Sequence, residues 1–259
     1  MRIFITEKTL ERIKPYLPKP RGKQPKDHIT VINGILYVLH YGIPWRDMPS
    51  RYGSWKTAHS RFNRWSKNGV WEKIHEALCA EEAENQSSSQ DNPFDTMMVD
   101  STCVPVHRTA TSLRLGPLDD RVIGKSVGGW TTKIHALVDG WGRPIKFVLT
   151  GGNVSDYTGA EYLLSYIPEG VKVFLGDKGY DADWIREILN KLNITPCIPY
   201  RSSRNDIKEI DKELYKERNQ VERTFNRLKD SFGIAYRRMR SGINYLGAVH
   251  LVALADWLL

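Results

Sequence analysis

The chain has no apolar run near the roughly 18 residues that a membrane-spanning helix needs, which speaks against an integral helical membrane protein. Its opening, MRIFITEKTLERIK, carries Glu7 and Glu11 too early for a secretory leader. Cysteine is scarce: Cys79, Cys103 and Cys197 are odd in number and far apart, which argues against a disulfide framework or a zinc cluster and for a reducing cytosol. No internal repeat or long low-complexity tract is present. Acid is scarce in one place only. Residues 1–80 hold 15 Lys and Arg against 6 Asp and Glu, whereas the remainder is nearly balanced, 23 against 24. The net charge of +8 therefore sits in the first third, and a localised basic region suits a polyanion such as nucleic acid or, more simply, solubility.

What is present divides at a polar stretch rich in Ser, Gln and Asn. AEEAENQSSSQDNPF cannot bury much apolar surface and reads as a linker over 81–94, between a helical domain at 1–80 and a second domain at 95–259. In the first domain, TEKTLERIKPYL opens on a threonine cap and stops near Pro15. HITVINGILYVLHYG is an apolar helix ending at Gly42. SWKTAHSRFNRWSKNG follows, with Ser54 as its cap and Trp55, Ala58, Phe62 and Trp65 as a core-facing stripe. A turn between two helices with a basic outer face fits a helix-turn-helix reader, and an ordinary small bundle fits as well. Phosphate contacts are expected from Lys19, Arg21, Lys23 and Lys26 in the Pro- and Gly-broken loop, and from Lys56, Arg61 and Arg64 on the later helix.

The second domain alternates strands and helices. TMMVDSTCVPVH, WTTKIHALVDG, RPIKFVLTGG, VKVFLGD and ITPCIPY read as strands, and VSDYTGAEYLLSYI and YDADWIREILNKLN as helices. DKELYKERNQVERTFNRLKDSF reads as one long helix, and GAVHLVALADWLL as an apolar closing helix. The pattern is α/β, a mixed sheet flanked by helices. On the long helix, Leu214, Val221, Phe225, Leu228 and Phe232 fall on an arc of about 60°. Tyr215, Arg218, Glu222 and Lys229 share the neighbouring arc. Asp100 and Asp177 end buried strands, where an acid is costly unless paired or bound to metal. Three carboxylates from two strands and a helix could converge on divalent ions. Taken singly, Asp100 and Asp177 read more simply as capped turn acids, and Glu222 as half of a helix ion pair with Arg218.

The succession VDST, LGDKGYD, YKERNQVERTFNRLK resembles the Asp-Asp-Glu (DDE) transposases of bacterial insertion sequences. Tyr215, Arg218, Glu222 and Lys229 match that family's Tyr–Arg–Glu–Lys signature, while IGKSVGGWTTKIHALVD and LTGGNVSD are similar to its insertion-sequence-five branch. The resemblance spans nearly the whole chain. It implies an RNase H-like core preceded by a region that binds terminal inverted repeats. Asp100, Asp177 and Glu222 are its implied metal ligands, with Tyr215, Arg218 and Lys229 in the same catalytic site. The implied activity is phosphodiester cleavage with two Mg²⁺ ions, for which Mn²⁺ can substitute, followed by joining of the 3′-hydroxyl ends to target DNA. The implied partners are double-stranded DNA, both element ends and target, and a second copy of the chain or a larger synaptic assembly. The expected location is the cytoplasm, at the nucleoid. A non-catalytic DNA-binding descendant and a nuclease without strand transfer stand as alternatives.

Further residues carry two readings each. Asp156 and Asp181 support the site or cap helices. His107 and His135 touch DNA or pack in the sheet. Lys125, Ser126 and Lys133 contact phosphate or belong to a surface loop, and Trp130 stacks on a base or packs on a hairpin.

Overall fold

The computed structural model describes residues 4–18, 27–112, 121–204 and 209–258. Lys19, Arg21, Lys23 and Lys26 lie outside them. In chain order come α1 (Glu7–Ile13), α2 (His28–Tyr41), α3 (Trp55–Lys67) and α4 (Val70–Gln86). Next are β1 (Thr96–Pro105), β2 (Gly124–Ser126), β3 (Gly129–Asp139), β4 (Pro144–Gly151) and α5 (Asp156–Leu164). Then follow β5 (Val173–Leu175), α6 (Asp183–Lys191), β6 (Thr195–Cys197), α7 (Lys212–Lys216) and α8 (Asn219–Lys229). The chain closes with α9 (Phe232–Ala235), α10 (Gly242–Ala253) and α11 (Ala255–Leu258).

These elements form two compact units. One comprises Met1–Ala80, Val104–Arg121 and Arg227–Leu259; the other comprises Glu81–Cys103 and Val122–Asn226. The division differs from the expected one in three respects, the first being that Val104–Arg121, expected in the second domain, groups with the helical unit. The stretch expected as a linker from residue 81 is helical as far as Gln86, because AEEAENQ is rich in good helix formers. The apolar closing helices group with the N-terminal helices, where their buried faces find partners.

In the helical unit, Thr6 caps α1 in a reciprocal capping box with Thr9. Gly42 ends α2 in the left-handed conformation at φ 61. A Cβ there would also stand 2.2 Å from the Phe232 ring, so glycine is needed twice over. Of the expected stripe on α3, Ala58, Phe62 and Trp65 are buried, while Trp55 in its first turn is only half-buried. The connector between α2 and α3 occupies residues 42–54 and holds two short 3₁₀ turns. It is longer than the three- or four-residue turn of a helix-turn-helix pair. The interior contains a side-chain chain in which Trp257 Nε1 donates to His75 Nε2 at 3.1 Å and His75 Nδ1 meets His250 Nδ1 at 3.0 Å. Arg237 is fully buried, with its guanidinium donating to the carbonyls of Met239, Arg121 and Arg240.

The other unit is built on a mixed sheet of six strands. The order is β2-β3-β1-β5-β6, with β4 also paired to β3. β4 is antiparallel to β3, while β5 is parallel to β1 and β6 to β5. Met97, Met98 and Val99 of the central β1 are wholly buried, as expected of a strand covered on both faces. Helix α8 docks through Val221 and Phe225, and its Thr224 hydroxyl donates to Gly142 O at 2.5 Å in the β3–β4 turn.

The helix expected as continuous is broken. Residues 217–218 form a turn in which Arg218 N bonds Tyr215 O and Gln220 N bonds Glu217 O, so α7 and α8 are separate. The expected apolar stripe therefore holds only in its middle: Leu214 is half-buried, and Phe232 is exposed at the start of α9.

Candidate active site

Two neighbouring parallel strands define the site. In the parallel pairing of β1 with β5, Met98 stands opposite Leu175. Two residues further along each chain come Asp100 and Asp177. Asp177 thus lies just beyond the end of β5, while Asp100, expected at a strand end, lies in the middle of β1, which runs on to Pro105; the two acids fall at the level where β5 stops and its neighbour continues.

Burial raises the Asp100 carboxyl above its usual range. The Ser101 N–H, at 2.8 Å, and the Arg218 charge oppose that rise, and the negative charge of Asp177 adds to it. Asp177 is turned by the backbone that follows: it caps the 3₁₀ turn Lys178–Tyr180, and its Oδ1 accepts from Gly179 N at 2.7 Å. Tyr180 is buried beneath this turn, and burial together with the charges of Asp156, Asp100 and Asp177 pushes its hydroxyl well above the ordinary tyrosine value.

The helices supply the remaining groups. Arg218, in the turn between α7 and α8, donates from Nη1 to Asp100 Oδ2 at 2.9 Å. Its Nη2 donates to Glu222 Oε1 one helical turn on. Glu222 keeps 49% of its side chain exposed and Asp100 only 19%, so Glu222 stands on the open side. The Arg218 guanidinium lies 5.9 Å from the Tyr215 ring centre. Burial raises the Tyr215 hydroxyl; Arg218 opposes this and Asp177 reinforces it. Lys229 stands two turns beyond Glu222 in the last turn of α8, half-buried.

The structure therefore brings Asp100, Asp177, Tyr215, Arg218 and Glu222 into one electrostatic neighbourhood. It does not gather the three acids around a single point. Among the described residues, no three His, Cys, Asp or Glu side chains are close enough to hold one metal ion. Asp100 and Asp177 suit a hard divalent cation: both are oxygen donors, and Asp177 is close enough for its charge to act on Asp100. Glu222 is tied to this pair through the Arg218 guanidinium rather than standing beside it as a third ligand.

A second layer surrounds the acids. Ser101 Oγ donates to Asp156 Oδ1 at 2.5 Å, and Lys133 Nζ reaches the same oxygen at 2.9 Å and Val154 O at 2.7 Å. Asp156 thus supports the site, and Ser155 rather than Asp156 holds the cap position of α5. Lys133 is consumed by these bonds and lies buried, away from any surface loop. His135 is buried, its Nε2 2.8 Å from Thr150 Oγ1, and burial lowers it to about 4. His107 closes a local turn with Thr109. Lys125 and Trp130 are exposed, and the Ser126 hydroxyl bonds within its hairpin. Sequence reasoning passed over Ser101 and Tyr180, although both stand inside quoted motifs, VDST and DKGYD. A tyrosine between a glycine and an acid after a buried strand was the available signal.

Of the expected phosphate contacts among the described residues, Lys56 and Arg64 are exposed on α3. Arg61 is half-buried, its guanidinium 5.8 Å from the Trp65 ring centre.

Two family models match the chain. "Putative transposase of IS4/5 family" covers residues 5–75, and "Transposase DDE domain" covers residues 92–258. The "Putative transposase for insertion sequence element IS6501" of Brucella ovis is 40% identical over 129 residues, 49% of this chain and 98% of that protein. The "Putative transposase for insertion sequence element IS402" of Burkholderia cepacia is 32% identical over 117 residues, 39% of this chain and 53% of that protein. Among solved structures, the "Mos1 transposase paired-end complex with left transposon end" aligns over 98% of this chain and 88% of its own, at 14% identity and a TM-score of 0.29, a likeness too weak to argue from.

Proposed function

Since the chain belongs to the transposase DDE-domain family and is a DNA transposase, we propose that Asp100, Asp177 and Glu222 form its catalytic acids, with Tyr215, Arg218 and Lys229 acting beside them. The observation that carries this reading is the bridge from Asp100 through Arg218 to Glu222, with Asp177 capping the turn just after the adjacent strand.

Divalent metal is the family's cofactor. Here it would rest on Asp100 and Asp177, and we assign Mg²⁺, with Mn²⁺ as a substitute. When bound, it would supply Lewis acidity to the attacking and leaving oxygens of a phosphodiester. Glu222, whose Oε1 accepts from Arg218, would offer its other carboxylate oxygen to a second ion.

The chain's own groups do the rest. Arg218 presents a planar guanidinium at the acids, a shape suited to bidentate contact with phosphate. Ser101, Lys133 and Asp156 hold the site from below, and Tyr180, kept neutral, excludes water from beneath the Asp177 turn. The helical unit binds the terminal inverted repeats, and Lys56 and Arg64 meet backbone phosphates there. Cleavage frees a 3′-hydroxyl that attacks target DNA, and two ends require at least two copies of the chain in one assembly. The setting is the cytoplasmic nucleoid.

The decisive experiment uses plasmid DNA carrying the sequence that flanks this reading frame. With Mg²⁺, the native chain nicks it and joins the cut ends to a second plasmid. Glu222→Gln and Asp100→Asn lose both reactions while still shifting the DNA in a gel. Equal nicking by the variants removes the acids from the mechanism, and cut ends that never join make the protein a nuclease.

A further inference from the structure

The Asp177 turn is held from outside by a group that the reading above leaves unused. Asp181 is buried, and its carboxylate is saturated with donors. Oδ1 accepts from Arg186 Nε at 3.0 Å and Nη2 at 2.9 Å. Oδ2 accepts from the Arg201 backbone N–H at 2.8 Å and from Arg204 Nε at 2.7 Å. A buried acid with this many charge-assisted bonds is a fixed point. Arg186 is fixed in turn by Ile198 O at 2.8 Å and by the Tyr200 ring at 3.9 Å.

From this fixed point the Arg201 side chain reaches back over the turn. Its Nε donates to Lys178 O at 3.1 Å and its Nη2 to Gly179 O at 3.0 Å. Those carbonyls belong to the turn whose Gly179 N–H holds Asp177 Oδ1. The path closes on itself: Asp181 fixes the backbone of Arg201, the guanidinium fixes two carbonyls, and the second of these residues orients Asp177. Arg201 thereby adds bonds from outside to a turn otherwise braced by its own short-range bonds and by the buried Tyr180.

We infer that Arg201, anchored by Asp181, is a positioning residue that sets the orientation of Asp177 for the transposase reaction. The inference rests on the assignment of Asp177 to the catalytic acids. Arg201 is exposed, so its loss opens no cavity. The guanidinium spans two carbonyls with a rigid fork that a lysine ammonium cannot reproduce.

The test measures nicking of end DNA by full-length Arg201→Ala, Arg201→Lys and Asp177→Asn beside the native chain. For Arg201→Ala, kcat is expected to fall by roughly tenfold to a hundredfold, the scale of a misplacement of about 1 Å. KM for the DNA and the urea midpoint stay at native values. Guanidinium at millimolar concentration restores part of the rate, and Arg201→Lys remains slow. A native rate for Arg201→Ala with an inactive Asp177→Asn overturns the positioning role alone. A raised KM at unchanged kcat overturns it too, and makes Arg201 a DNA contact. A lowered urea midpoint that tracks the lost rate reduces it to a fold contact. Native cleavage by Asp177→Asn removes both this inference and the catalytic reading beneath it.

Discussion

Arg218 holds Asp100 at 2.9 Å with a guanidinium that also bonds Glu222. One cation thereby serves two acids that differ in exposure, and the difference separates their energies. A double-mutant cycle between Arg218→Ala and Asp100→Asn is expected to give a coupling of about 1–3 kcal/mol. The cycle with Glu222→Gln is expected below about 1 kcal/mol, because a half-exposed pair is screened by solvent. Urea unfolding of the four variants in each cycle measures both. Equal couplings would mean that the two contacts are alike despite their burial.

Lys56 and Arg64 stand exposed on one helix. Replacing both with alanine is expected to weaken end binding and to reduce the slope of log K against log salt by roughly 0.9 for each lost phosphate contact. Arg61→Ala is expected to act differently, lowering stability through the lost Trp65 contact with a smaller change in slope. Gel shifts across a salt series distinguish them, and an unchanged slope in the double variant removes α3 from the interface.

Arg237 is buried among backbone carbonyls, and burial lowers its guanidinium to about 10. Arg237→Met keeps the volume and removes every donor. Three carbonyls lose a partner, and the expected cost is about 3 kcal/mol or more. Arg237→Lys restores little, since one ammonium cannot face all three. Chemical denaturation reads the loss.

His135 stays neutral in the fold down to about 4, whereas an unfolded histidine takes its proton near 6.5. Between those values the unfolded chain holds more protons, so stability from this group rises as pH rises from about 4 to 6.5 and is lost on the way down. The span corresponds to at most about 3 kcal/mol. His135→Gln is expected to flatten the native Tm profile across that window. A slope unchanged by the substitution assigns it to other groups.

Much of this was readable from the residues. The cost of burying an acid singled out Asp100 and Asp177; Asp177 does follow the end of β5, whereas Asp100 lies within β1, close enough for the Asp177 charge to act on it. The stripe of α3 and the stop at Gly42 followed from periodicity and from glycine's freedom at positive φ. The break at 217–218 was hidden, because a helical wheel assumes the continuity it is used to describe. The part of Arg218 was hidden for a related reason: pairing with Glu222 is local and visible, but pairing with Asp100 spans 118 positions and exists only in the fold. Asp181 and Arg201 were obscured likewise, since no short-range rule links an acid after a turn to an arginine twenty positions later.

The chain enters the helical unit, leaves it, returns and leaves again before its last helices come home to it. Neither unit is written in one uninterrupted stretch of the gene. A reading frame broken near its middle would give two partial polypeptides, each missing pieces of both interiors.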